Sequence, residues 1–250
     1  MPDVVDLRDT RDERLLEVLY RDLYLPNFPI AEQQEDPSIW TPLLWGPLPP
    51  PPKPILHILV AGERLHQATR RQIHGFIVLE FFRLSGCGLL TYMAVHHRVR
   101  RQGVGRLLLA RAIRTLEADA AAHGVPLRAV FGEVNDPARV QEGDDSMNGG
   151  ERLEVLERMG ARRVPIHYVQ PQLRPGQGRS GSLFFVAFPA DSKPLRVLPA
   201  DVLRAFLAEF YRALGVASPD DDPDFRASLA SLRGEQIVLL PLRPTSLAEE

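Results

Sequence analysis

Apolar positions along this chain follow two rhythms, one of about 3.6 residues and one of two, and their succession predicts its elements. From Thr10 to Leu25 the apolar residues Leu15, Leu16, Leu19, Leu23 and Tyr24 keep a helical spacing, with Thr10 as the expected N-cap. Pro26-Asn27-Phe28-Pro29-Ile30 interrupts that helix, and a second short helical piece is predicted from Ala31 to Trp40. Gly46 to Pro54 is largely proline, which has no N–H and a fixed φ, so it is neither helix nor inner strand. It reads as a stiff exposed connector, the alternative being an SH3-type ligand, since P-x-x-P strings occur.

Strand-like runs follow at Ile55–Gly62, Gly75–Phe82 and Leu89–Val95, the last two joined by the hairpin signal Ser85-Gly86-Cys87-Gly88. The rhythm then returns to helical from Val104 to Ala122, with Gly124 in the C-cap place. Val125–Glu133 is a predicted strand, Asp136–Gly150 a polar loop, and Glu151–Met159 a short helix stopped by Gly160. Arg163–Val169 and Ser182–Phe188 are predicted strands, the second apolar enough to be buried on both faces. Pro199–Leu214 is an amphipathic helix with Val202, Leu203, Phe206, Phe210 and Leu214 on one face, followed by a helical piece at Phe225–Leu232 and an apolar run at Ile237–Leu240. The pattern is an antiparallel meander that turns into a strand–helix–strand crossover.

The change of rhythm at Val95–Val104 carries the chemistry. A strand runs into the turn His96-His97-Arg98-Val99-Arg100-Arg101-Gln102-Gly103 and opens directly onto a helix. The first amides of such a helix are unpaired, and the positive end of its dipole favours an anion. Gly103 and Gly105 lack Cβ atoms, so a phosphate can approach the backbone, and Arg98, Arg100, Arg101 and Arg106 surround it with positive charge. The P-loop string is absent, and G-x-G-x-x-G fails at Leu108. What remains is R-x-x-G-x-G, filled by Arg100, Gly103 and Gly105; the plainer alternative is a strand-to-helix connection with solvated arginines.

Composition narrows the class. The 250 residues are 44% hydrophobic and 25% charged, as in ordinary globular proteins, and the formal net charge of −2 argues against a dedicated nucleic-acid binder. The single cysteine, Cys87, excludes an internal disulfide or a cysteine-based zinc site. His96-His97 has no third ligand in view, so no metal is expected. Asp144-Asp145 with Asn148 does not keep EF-hand spacing. With no secretory pattern at the N-terminus and no apolar run of membrane-spanning length, a cytoplasmic location away from membranes is the expectation.

The R-x-x-G-x-G motif in this strand–turn–helix setting resembles the coenzyme A-binding motif of the GNAT acetyltransferase superfamily. The order of elements from about Val4 to Phe188 resembles that fold too, as do the late helix Glu151–Ala161 and the segment Phe131-Gly132-Glu133-Val134-Asn135. The resemblance implies a mixed, mostly antiparallel α/β sheet flanked by helices: a catalytic domain at 1–190 and a C-terminal helical extension at 191–250 packed on it. It implies acetyl-CoA as co-substrate and a primary amine of a small molecule or peptide as acceptor, with no metal. A homodimer is common for such folds.

By the same resemblance, Met93, Ala94 and Val95 would pair with the pantetheine arm, and an amide of Ala94 or Val95 would polarise the thioester carbonyl. Arg100, Arg101, Gln102, Gly103, Val104, Gly105 and Arg106 would cradle the pyrophosphate, with Asn148 a further cofactor contact. Glu133 is the first choice as general base, the alternative being a solvated or arginine-paired carboxylate. His96 and His97 come next. Phe28 and Glu32 fall where the family holds its acceptor, the plainer role for Glu32 being a helix N-terminal charge. Leu156 stands where a proton-donating tyrosine is usual, so Tyr168 or Tyr92 would have to donate, or water. His167-Tyr168 could line the acceptor wall, with core packing the plainer role for Tyr168. The acidic run Glu142–Asp145 suits a cationic acceptor or a solvated loop equally. Two rival functions remain: an acyl-CoA-binding regulator without turnover, and a partner-binding adaptor working through the proline run and the C-terminal helix.

Overall fold

A computed structural model describes residues 2–140, 147–174, 176–190, 193–232 and 234–243, with the side chain of Glu32 left out. The first strand, β1 (Asp3–Asp6), lies before the predicted opening helix and pairs with β2 (Ile55–Glu63). Its last residue, Asp6, caps the single turn α1 (Leu7–Thr10) by accepting from the Arg8 amide at 2.9 Å. The main helix then restarts at α2 (Glu13–Leu19), capped by Asp12 on the Leu15 amide at 2.8 Å. Thr10, the expected cap, instead sends its hydroxyl back to the Asp6 carbonyl. A π-turn, Tyr20–Tyr24, carries the helix into α3 (Leu25–Asn27), so the segment runs past Pro26, where a break was expected. The second helical piece is a 3-10 turn at Ala31–Gln33 followed by α4 (Pro37–Trp45), capped by Asp36. After the proline connector, β2 opens the meander.

β2, β3 (Gln72–Phe82) and β4 (Cys87–Val95) form that antiparallel meander. The crossover helix α5 (Val104–Ala122) then brings β5 (Ala129–Asn135) beside β4 in parallel. After α6 (Gly149–Arg158), the two-residue strand β6 (Arg162–Arg163) and β7 (Leu183–Phe188) complete a seven-stranded sheet of order β1-β2-β3-β4-β5-β7-β6. The strand expected over Arg163–Val169 stops after Arg163, because Pro165 has no amide for the ladder. The predicted strand at Val125–Glu133 lies four residues later, since its first part is a connection from α5.

The C-terminal part consists of β8 (Val197–Pro199), α7 (Ala200–Ala213), α8 (Pro223–Ala230) and β9 (Gln236–Val238), with β8 and β9 paired. It covers one face of the sheet: Phe206 stacks among Phe82, Phe131 and Phe185, with centroids 5.3, 4.7 and 5.9 Å away. α5 covers the opposite face with Val104, Leu108, Ala112 and Leu116 against Ile77, Leu79 and Leu90. Leu240 exchanges two backbone hydrogen bonds with Arg163 and so extends the sheet at its β6 edge. No helix among the described residues is long and apolar enough to cross a membrane.

Candidate active site

The sheet opens at its centre. β4 and β5 pair only from Cys87–Ala129 to Leu90–Gly132; beyond that, Thr91–Val95 and Glu133–Asn135 have no partner in each other. The parting coincides with a register shift on the β3 side, where Leu79 faces Leu90 but Val78 faces Tyr92, leaving Thr91 as an extra residue. Such a bulge bends its strand and increases the local twist. A cleft of about 1150 Å³ fills the gap.

Three walls enclose that cleft. The first is β4. The His96 amide donates to the His74 carbonyl at 2.8 Å, and by antiparallel alternation the backbone of Ala94 also turns toward β3. Met93 and Val95 therefore present their amides to the gap. The second wall is the turn into α5, where Arg100, Arg101, Gly103, Val104, Gly105 and Arg106 line the cleft. Gly103, with φ of 85°, is the N-cap and supplies no side-chain hydrogen bond, so the first-turn amides face outward. Arg100 sends Nε to the Val95 carbonyl at 3.3 Å, tying the cradle to the end of β4. The third wall is α6, with Val155, Leu156 and Met159; a Cβ on Gly105 would stand 2.8 Å from the Met159 methyl, so cradle and α6 are in close contact.

Glu133 projects into the cleft where β5 leaves β4. It is half-buried and doubly held: the Tyr168 hydroxyl donates to one carboxylate oxygen and Gln170 Nε2 to the other at 2.9 Å. Burial pushes its pKa up to about 7, the two donors pull the other way, and the nearby Glu35 carboxylate adds to the rise. Glu80, on β3, is pushed up to about 8 by burial and by the Glu35 and Glu133 charges. Glu35 accepts from Trp40 Nε1 at 2.7 Å, and burial raises its proton affinity as well. Three carboxyls thus share one interior region, and none of the three is paired with a cation in an ion pair among the described residues.

The remaining sequence candidates are placed unevenly. Phe28 lines the cleft and meets the Tyr92 ring edge-on at 4.9 Å. Glu32 lies in the 3-10 turn beside it, its side chain outside the described residues. His97, not His96, lines the cleft; His96 accepts from the Arg98 amide through Nδ1 and stacks on His97. Gln102 turns back to the Arg98 carbonyl, and Asn148 caps α6 by accepting from the Glu151 amide at 3.2 Å; neither lines the cleft. Tyr92 is tied to the Gln33 carbonyl at 2.7 Å, and Tyr168 reaches Glu133 from outside the cleft. Leu156 lines it without a proton to give. The acidic run Glu142–Asp145 lies outside the described residues. Gln170 was not foreseen: a glutamine before a proline carries no motif, and only the fold brings it to Glu133. Among the described residues no group of three or more histidine, cysteine or acidic side chains could hold a metal ion.

The site is thus a slot between parted strands, walled by outward-facing amides of β4, by the arginine-bearing turn and N-terminus of α5, and by a carboxylate held by two donors. The sequence model of the acetyltransferase (GNAT) family matches residues 19–139. That segment, just under half of the chain, carries a GNAT acetyltransferase domain, a domain of the acyltransferase class of enzymes. No curated protein matches it in sequence. Among solved structures, it is similar to a GNAT-family acetyltransferase from Staphylococcus aureus Mu50 (16% identity, TM-score 0.45, covering 76% of this chain and 100% of that one). It is also similar to the ribosomal-protein-S18-alanine N-acetyltransferase of Escherichia coli (15%, 0.42, 77% and 96%). A third is Arabidopsis thaliana NAA60 in complex with acetyl-CoA (14%, 0.46, 75% and 98%).

Proposed function

We propose that this chain transfers the acetyl group of acetyl-CoA to a primary amine, with Glu133 as the general base. The observation that carries the reading is a half-buried carboxylate, pKa about 7, set in the wall of a cleft that also holds unpaired strand amides and a helix N-terminus. The slot suits acetyl-CoA: Met93 and Val95 offer backbone partners to its amide-bearing arm, and the α5 turn with Arg101 and Arg106 offers positive charge to its pyrophosphate. An amine bound near Phe28 gives up its excess proton to Glu133, and its lone pair forms the C–N bond. A strand amide of Val95 or Met93 stabilises the oxyanion, the nitrogen sheds its second proton to solvent as the C–S bond breaks, and the departing thiolate takes a proton from solvent. Leu156 in the wall has no proton to give, Tyr168 is committed to Glu133 and Tyr92 to the Gln33 carbonyl, which supports solvent as the proton source for sulfur.

Calorimetry tests the cofactor: micromolar binding of acetyl-CoA, roughly −8 kcal/mol, is expected. Loss of that binding is expected in a combined Arg100→Ala, Gly103→Ala, Gly105→Ala variant. Glu133→Gln is expected to bind acetyl-CoA normally and to lose about 10²-fold or more in amine acetylation. Because the base must be ionised, native activity should rise with pH through about 7 and then level off. Native turnover in Glu133→Gln would remove the base and leave the cofactor site standing.

A further inference from the structure

Gln170 is 5% exposed, lines the cleft and donates through Nε2 to Glu133. Its other amide atom, Oε1, is buried with no hydrogen-bond partner among the described residues. A buried unpaired carbonyl costs about 1–3 kcal/mol, so a side chain kept here for packing alone would be apolar. The backbone of Gln170 is fixed in both directions, N–H to the Ser180 carbonyl at 2.8 Å and carbonyl from the Ser180 amide at 3.1 Å. The strip that carries Tyr168 and Gln170 is in turn clamped by the C-terminal helices. The Tyr211 hydroxyl of α7 donates to the Val169 carbonyl, between the two residues, at 2.8 Å. Ser228 of α8 donates to the His167 carbonyl, and Ser231 accepts from the His167 amide. Arg179 pairs with Asp222 at 2.5 Å and Asp224 at 2.7 Å, at the start of α8.

We propose that Gln170 is a positioning residue for the Glu133 carboxylate, held in place from behind by Tyr211 and α8, so that the C-terminal helices complete the catalytic site. The inference rests on the reading of Glu133 as the base. Glu133 hangs from β5, whose neighbour β7 holds its backbone but brings no side chain to its oxygens. Among the described residues only Tyr168 and Gln170 fix those oxygens, and both stand on one strip that belongs to neither strand. Moving the strip moves the base. Among the other ionisable groups, Glu35 before α4 opposes the negative charge of Glu133, and that charge in turn makes Glu80 on β3 and Tyr92 on β4 harder to ionise. Gln170 and Tyr168 work against Glu35 by donating to the ionised form.

The test is a ¹³C NMR titration of protein labelled at the glutamate carboxyl carbons, with Glu133→Gln to assign the signal. In Gln170→Leu the Glu133 midpoint is expected to rise by about half a unit to one unit, the worth of one lost hydrogen bond. Tyr211→Phe, which keeps the ring and removes only the hydroxyl, is expected to shift it in the same direction by less. A purely structural role would lower the melting temperature and leave the midpoint alone. An unmoved midpoint in folded Gln170→Leu overturns the proposal; should that variant not fold, an unmoved midpoint in Tyr211→Phe overturns it. The titration needs no ligand. Failure of the native chain to bind acetyl-CoA would therefore count against acetyl transfer separately from any failure of Gln170 to hold Glu133.

Discussion

His57 is 7% exposed and lies between two carboxylates, Nδ1 2.6 Å from Asp6 and Nε2 3.0 Å from Asp119. Burial works against its charge, but the two hydrogen-bonded carboxylates prevail and raise its pKa from 6.5 to about 9. A histidine whose folded pKa is raised contributes stability that is complete below 6.5 and disappears as pH climbs through about 9. A shift of this size corresponds to about 3 kcal/mol. Urea unfolding of the native chain should therefore give a higher stability at about pH 6 than at about pH 9.5, and His57→Gln should flatten most of that difference. Equal slopes with pH in the two proteins would show that the triad contributes nothing. Neither partner could be read from the sequence, since Asp6 and Asp119 stand 51 and 62 residues away and bear no motif. The phosphate turn was legible for the opposite reason: everything it needs is local, and glycine at Gly103 answers to a single positive φ.

Between elements, a buried carboxylate joins α7 to the β3–β4 hairpin. Glu209, 2% exposed, accepts from the Leu84 amide at 3.0 Å and from the Ser85 amide at 2.7 Å, the second a turn donor that would otherwise be buried without a partner. Glu209→Ala is expected to cost about 1–3 kcal/mol, because the buried Ser85 amide is orphaned and the tie to the hairpin is lost. Thermal denaturation checks this, and a loss below about 1 kcal/mol would mean water replaces the carboxylate at no cost. Most of these elements were visible in the apolar rhythm: β2 to β4, α5, β7 and α7 all lie within a few residues of their predicted bounds. The misses have local causes. β1 is four residues long and shows only Val4 and Val5; the strand after β6 was cut off by Pro165; the π-turn at Tyr20–Tyr24 let a helix pass a proline.

At the scale of the molecule, the C-terminal helices are inseparable from the sheet they cover. Phe82, Leu89, Phe131 and Phe185 are buried in one cluster with Leu203, Phe206, Leu207 and Phe210. A chain ending at Ala190 would expose that face, and it is expected to aggregate or to bind a hydrophobic dye strongly, as size-exclusion chromatography would report. A monodisperse truncated chain would show that the sheet face needs no cover. The sequence announced an amphipathic helix in α7 without saying which surface received its apolar stripe, because the sheet's two faces read alike along buried strands. Glu133 was legible as a candidate from its place after an apolar run; its two donors were not, since they lie on a stretch with no regular period.

The parted strands leave β4 with an edge in the middle of the molecule. An exposed strand edge ordinarily invites pairing by any passing backbone, and proteins guard their outer edges against it. Here the guard is geometric. α6 and the α5 turn line the same slot as that edge, so a pairing chain must enter between them. Selection at β4 thus operates on thickness and on the spacing of amide groups before any side chain is consulted.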